Sequence, residues 1–356
     1  MIICLIITGF LLPQSAGKAA FKAVSLGAYS YAPYKNKETK AATENTQQAK
    51  SKVENVAVKK EKKKSTFSFQ TDEDVQSLID KYKAVAEKDE KDAAISEENL
   101  HESGKTESYA DVFVKNTNKT PADIKEHLER RAELSVDKSK PAVLIYHTHT
   151  TESYQILDRD FYAAGFKSRS NSDKLNMVRV GDAICAALEN AGFKVIHDRN
   201  IYDAAYSGAY YRSYDAAEKI INENPSVHIT LDIHRDAIQY DSGTKVKPTA
   251  SVNGKKAAQI MIISGCQEKG NGIEDFPDWD KNLTFALHLQ QQLEKDYSGL
   301  TRPVFFCARD YNMNLTPCSL LIEIGTDGNT LEEAVYSGKL LGASLARLME
   351  NYIEEE

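Results

Sequence analysis

The chain has 356 residues, 41% of them apolar and 27% charged, with a formal net charge of -7 at pH 7. That length suits two ordinary domains, or one large domain with a tail, and the composition excludes a collagen-like, disulfide-dense or polytopic membrane chain. No overall basic excess is present to hold a polyanion, which argues against a nucleic-acid partner.

Ile2 to Leu12 form an apolar run of 11 residues. A spanning helix needs about 20 apolar residues and a signal h-region about 7–15, so the run fits the second. No Lys or Arg precedes it, and Gln14 to Ala20 supplies small residues suited to cleavage. Residues 1–30 are therefore expected to be a membrane anchor or signal segment, with the bulk of the chain on the extracytoplasmic side. A buried core helix is the alternative.

From Asn36 to Ala110 there is no Pro, Cys or Trp and one Gly, Gly104. Between Ser51 and Ser65, six Lys stand against two Glu. Such a stretch buries too little apolar area to offset its ordering entropy, so residues 31–120 are expected to be a polar, largely disordered linker. The Lys run is either a solvated spacer or a contact to an acidic surface. Helical periodicity appears at Asp72–Lys88 and Pro121–Leu134.

At Pro141 the texture changes. The strand-like AVLIYH precedes a helix over Leu175–Ala191, stopped by Gly192, and a strand at Phe193–Ile196. A helix Tyr211–Asn224, closed by Pro225, and strands Val227–Ile233 and Gln259–Ile263 follow. A helix Asn282–Lys295, strands Pro303–Cys307 and Ser319–Ile324, and a last helix over Thr330–Asn351 complete the pattern. Alternation of this kind predicts an α/β fold, a three-layer αβα sandwich on a mostly parallel central sheet, over residues 121–356. The five cysteines form no C-x-x-C pair; Cys4 lies in the leader, and the rest read as small buried hydrophobes.

In such a sheet, ligands collect at the carboxyl ends of the strands. Three strand ends are unusual: Tyr146-His147-Thr148-His149-Thr150-Thr151-Glu152, Asp232-Ile233-His234-Arg235-Asp236, and Leu321-Ile322-Glu323-Ile324. Two histidines and a carboxylate make a common catalytic zinc set, and His149, Glu152 and His234 can supply it. Amide hydrolysis also needs a group that moves protons, a role open to Glu323. An unpaired carboxylate inside SLLIEIG would be expensive to bury without such a role. His147 and His149 share one strand face, so one of them is the ligand and the other structural. His149 is preferred, being further past the strand and one turn from Glu152. His197 reads as structural, as do His101, His127, His228 and His288.

The blocks IYHTHTTESY, NMVRVGDAICAALENAGFKVIHDR, HITLDIHRDA and SLLIEIGTDGNTLEEA resemble the stage II sporulation protein P family, over about Pro141 to Glu350. More distantly they are similar to the zinc-dependent N-acetylmuramoyl-L-alanine amidases. In those amidases a ligand Glu opens the first helix, where this chain has Asp173, so Asp173 stands as a substitute for Glu152. The resemblance implies a zinc enzyme cleaving the bond between N-acetylmuramic acid and L-alanine in peptidoglycan during engulfment, with residues 121–356 as its catalytic domain. It also implies a second, peptide-cleaving activity, a membrane anchor, and a glycan-cleaving sporulation partner in a membrane-anchored complex. A non-catalytic wall-binding scaffold, or a zinc peptidase or deacetylase on another wall substrate, are the competing readings.

Overall fold

The computed structural model of the chain describes residues 70–86, 89–268, 273 and 275–354, together with the backbone of residues 21–22. The apolar run at 2–12 and the Lys-rich stretch at 51–65 lie outside the described residues. Among the described residues, no helix is long and apolar enough to cross a membrane.

In chain order, β1 (Phe21–Lys22), α1 (Glu73–Lys83), β2 (Lys91–Glu98), β3 (Glu107–Tyr109), β4 (Val112–Asn116) and α2 (Ile124–Glu129) come first. Next are β5 (Pro141–Tyr146), β6 (Phe161–Ala163), α3 (Met177–Asn190), β7 (Lys194–His197), α4 (Ala209–Glu223) and β8 (Ile229–Asp236). β9 (Gln239–Tyr240), β10 (Lys245–Val252) and β11 (Lys255–Ala258) form an antiparallel meander, and β12 (Ile260–Gly265) follows. α5 (Trp279–Asp296), β13 (Val304–Cys307), β14 (Cys318–Thr326) and α6 (Leu331–Met349) complete the fold.

An eight-stranded sheet runs β3-β4-β13-β12-β14-β8-β5-β7. The mostly parallel sheet expected from the sequence is a mixed one: β3 with β4 and β12 with β14 pair antiparallel, and the other neighbours parallel. The physical cause is local. β12 follows β11 after a single residue, with no helical crossover to turn it parallel, and so runs back along β14. A second sheet, β1-β9-β10-β2-β6 with β11 on β10, was not expected at all.

The linker expectation also needs correction over its described part. β2 pairs in parallel with β10, and β4 joins the edge of the main sheet beside β13. Val112 and Val114 are fully buried, so a few apolar residues in a polar stretch are enough when a preformed sheet edge supplies the other half of the contact.

α3, α5 and α6 cover one face of the main sheet, over a cluster that includes Val143, Ile145, Leu231, Ile233, Leu320 and Ile322. α3 and α6 approach closely because glycines face the contact. A Cβ on Gly342 would lie 2.7 Å from Ala187 Cβ, and one on Gly338 3.0 Å from the Val180 carbonyl oxygen. Caps fix the starts of both helices: Asn176 accepts from the Val178 N–H, and Thr330 and Glu333 form a reciprocal capping box. The opposite face is covered by α4, whose Ala217 packs in a cluster with Leu144, Tyr146 and Val227. β5, β8 and β14 run in the same direction, so their carboxyl ends open at one edge.

Candidate metal centre

β5 delivers its chain into a tight turn in which the Glu152 N–H donates to the His149 carbonyl at 3.0 Å. That turn sets His149 and Glu152 side by side. Thr148 anchors it: its N–H and Oγ1 donate to Asp232 at 2.8 and 2.6 Å. Arg235 anchors the other end, with its N–H on Glu152 Oε2 at 3.2 Å and its guanidinium on the Ser153 and Ser168 carbonyls at 2.8 and 2.7 Å.

Asp232 and His234 stand two apart on β8 and so share the face under α4. His234 Nε2 lies 2.8 Å from Asp232 Oδ1, a charge contact off the N–H axis rather than a linear hydrogen bond. Its Nδ1 turns to Glu152 Oε2, 3.7 Å away, and His149 Nδ1 lies 3.6 Å from Glu152 Oε1. These separations are too long for hydrogen bonds. They are close to the ~3.4 Å edge of a tetrahedron with bonds of about 2.1 Å, the geometry of zinc on nitrogen and oxygen. Ligand atoms of His149, Glu152 and His234 all lie within 4.8 Å of one another, and all three residues are buried. The donor set therefore fits zinc, and Asp232 stands behind His234 where such sites usually carry an orienting carboxylate.

The electrostatics agree. Burial pushes His149 down to about 4, which favours a neutral imidazole that can donate a lone pair. Burial opposes ionisation of Glu152, but Arg235, then His149, His234 and Arg169, hold its carboxyl below the ordinary range. For His234, burial is outweighed by Asp232, Glu152 and Glu323, and the ring rises to about 9. This cluster of carboxylates is arranged to receive positive charge.

Glu323 is the register partner of His234 on the neighbouring strand β14. It is buried, and its Oε2 has no hydrogen-bond partner among the described residues. Burial first, then repulsion from Asp236 and Glu152, pushes its carboxyl well above the usual range, against the pull of His234. A bulge after Glu323, with Gly325 at φ +63°, shifts the register before Thr326. A side chain at Gly325 would meet Asn329 Oδ1 at 2.5 Å, so the bulge needs glycine.

The structure thus brings together His149, Glu152, His234 and Glu323 and leaves the two substitutes outside. His147 Nδ1 lies 3.0 Å from the Ile233 carbonyl and its Nε2 2.9 Å from His197 Nε2, under Gly181 of α3. Asp173 is half-exposed, 3.7 Å from Arg199. Sequence reasoning did not assign Asp232, Tyr206 or Tyr210. Asp232 was legible as the residue two before His234 on the same strand face. Tyr206, stacked on His149 at 4.8 Å, comes from a loop with no pattern to reveal it.

Stage II sporulation protein P of Bacillus subtilis (strain 168) is 31% identical over 211 residues, 54% of this chain and 47% of that protein. The match therefore spans about half the length of this relative. Among solved structures, N-acetylmuramoyl-L-alanine amidase AmiC2 of Nostoc punctiforme is 13% identical with a TM-score of 0.33, covering 61% of this chain and 98% of that one. The CwlD amidase from Clostridioides difficile, in complex with the GerS lipoprotein, is 13% identical with a TM-score of 0.36, over 59% and 98%. Likeness at that level says nothing about activity. The family model described as stage II sporulation protein P matches residues 23–346, nearly the whole chain, and the protein belongs to that family.

Proposed function

We propose that this chain is a zinc-dependent peptidoglycan hydrolase that cleaves the amide between N-acetylmuramic acid and L-alanine during sporulation engulfment. The observation that carries the reading is the convergence of His149, Glu152 and His234 within 4.8 Å beside the strand that bears Glu323. A wall-binding scaffold has no need to bury that donor set, because buried polar groups without partners are costly.

His149, Glu152 and His234 would hold the ion. Zinc bound there would polarise a carbonyl and make water nucleophilic near neutral pH. Arg235 and Thr148 fix the turn, so the donors are set before substrate arrives. Glu323 carries the proton. Positive charge bound at the neighbouring donors would favour its ionised form, and the ionised carboxylate can take a proton from the attacking water and pass it to the leaving nitrogen. The amide C–N bond breaks, leaving a carboxylate on the lactyl side and a free alanine amine.

The family and the apolar run at Ile2–Leu12 support an extracytoplasmic site of action, tethered at the membrane, with a glycan-cleaving partner exposing further substrate. Metal analysis of the full chain, with digestion of purified sacculi followed by mass spectrometry, tests the reading. One zinc per chain and new L-alanine amino termini are expected, both lost in His149→Ala and His234→Ala. Full zinc occupancy in both variants overturns the ligand assignment, and cleavage at another bond overturns the substrate.

A further inference from the structure

Tyr210 sits in the first turn of α4, against both histidines of the metal centre. Its ring is edge-on to His149 at 5.6 Å, parallel to His234 at 6.4 Å and stacked on Tyr311 at 5.4 Å. The phenol oxygen is closed off from solvent and has no hydrogen-bond partner among the described residues. A buried hydroxyl left without an acceptor is destabilising, whereas phenylalanine would fill the same space without that cost. The hydroxyl therefore returns nothing to the fold.

The backbone around it is nevertheless held firmly. The Tyr210 carbonyl accepts from Ser213 Oγ at 3.1 Å and from Asn312 Nδ2 at 3.2 Å. Ser213 Oγ lies 2.7 Å from Thr148 Oγ1, which donates to Asp232, the carboxylate against His234. One network thus fixes the metal-facing histidine and the turn that carries Tyr210. The loop behind it holds Tyr311 and Asn312 at φ +40° and +59°, backbone that side chains other than glycine rarely adopt. Strain of this kind collects where geometry serves a ligand.

We propose that the Tyr210 O–H donates a hydrogen bond to the carbonyl oxygen of the scissile amide, and to the anion that oxygen becomes. This deepens the amidase reading and rests on it. The donor is held in place beside both histidines and has no competing acceptor among the described residues, the conditions under which one hydrogen bond counts most in a transition state.

Tyr210→Phe in the zinc-loaded full chain tests the assignment, because it removes the hydroxyl and leaves the ring. Expected are unchanged zinc content, an equal or higher melting temperature, and a kcat on sacculi lower by about 100-fold with little change in KM. A second arm needs no turnover: acetohydroxamate, a small carbonyl-bearing ligand for zinc, should bind the variant about 10-fold more weakly by calorimetry, one hydrogen bond's worth. Wild-type kcat and hydroxamate affinity in Tyr210→Phe overturn the proposal while the amidase reading stands. If the wild type cleaves no amide yet the variant still binds hydroxamate more weakly, the amidase reading fails and the donor role survives. Hydroxamate that does not bind the wild-type protein overturns the donor role.

Discussion

On β8, Ile229, Leu231 and Ile233 enter the apolar cluster under α3, α5 and α6, while Thr230, Asp232 and His234 alternate to the face under α4. β14 repeats the division: Leu320, Ile322 and Ile324 go to the helices, Ser319, Leu321 and Glu323 to the other side. Because successive strand residues point to opposite faces, one strand can hold the fold with every second residue and carry chemistry with the rest. The apolar face fixes where the carboxyl ends lie, and the other face decides what they do. Substitutions on the two faces should therefore fail in different ways.

The largest effect is expected at Glu323. Glu323→Gln keeps the shape but cannot take up a proton, so cleavage of sacculi should fall by about 10²–10⁴-fold. Zinc should remain bound. Stability should be equal or higher, since Glu323 Oε2 has no hydrogen-bond partner among the described residues. A near-normal rate would make Glu323 a structural carboxyl and remove the distinction between the faces at β14. Loss of zinc would make it a ligand.

On the helix face, Leu231→Ala should do the opposite. Leu231 is fully buried, and deleting its side chain should cost about 2–5 kcal/mol in denaturant unfolding. Folded protein at low temperature should still bind one zinc and cleave at close to the wild-type rate. Full stability with lost activity would mean that the two faces are not separable.

A smaller effect is expected at Asp232→Asn, between the two. The fold should survive, because the amide can still accept from Thr148. Zinc affinity should fall by about 10–100-fold, as is usual when a carboxylate behind a ligand histidine is lost. Competition against a chelator measures it, and unchanged affinity would place Asp232 with the structural residues.

The sequence showed most of this division and missed part of the frame around it. The helices over Met177–Asn190, Trp279–Asp296 and Leu331–Met349 were legible from periodicity, since each lays an apolar stripe on the sheet. The four candidate site residues were legible because polar groups at the ends of apolar strands have few structural reasons to exist. β2, β4 and β10 were not. Their residues are mixed in character: β2 is ordered by strands distant in sequence, and β4 and β10 add to their local hairpins with β3 and β11 a pairing to β13 and β2 that no local window contains. Tyr210 was hidden for a related reason. It lies within an ordinary amphipathic helix, and only the fold shows that its hydroxyl has no partner among the described residues.

The smallest expected effect lies on the outer side of the helix layer, where α1 docks through a few buried residues and a set of charges. Val75 and Ile79 enter the apolar cluster, while Asp74 accepts from Arg179 Nε at 2.9 Å and Nη2 at 3.0 Å; Asp72 pairs with Arg179 and Lys339. The hydrogen bond from Arg179 lowers the Asp74 pKa from 3.8, against a smaller opposing effect of burial. A carboxyl depressed in the folded state stabilises it above its unfolded pKa, and that contribution fades as pH falls through the folded value. Docking of α1 should therefore be constant from pH 7 to about pH 5 and weaken below about pH 4. The pair is partly exposed and screened, so Asp74→Asn should cost only about 0.2–1 kcal/mol at pH 7 and less at pH 3. Amide hydrogen exchange along α1, compared between wild type and variant at both pH values, reads this locally, while zinc content should stay at the wild-type level throughout. A difference that persists or grows at pH 3 would mean that the Asp74 charge does not hold the helix, leaving Val75 and Ile79 to do so alone.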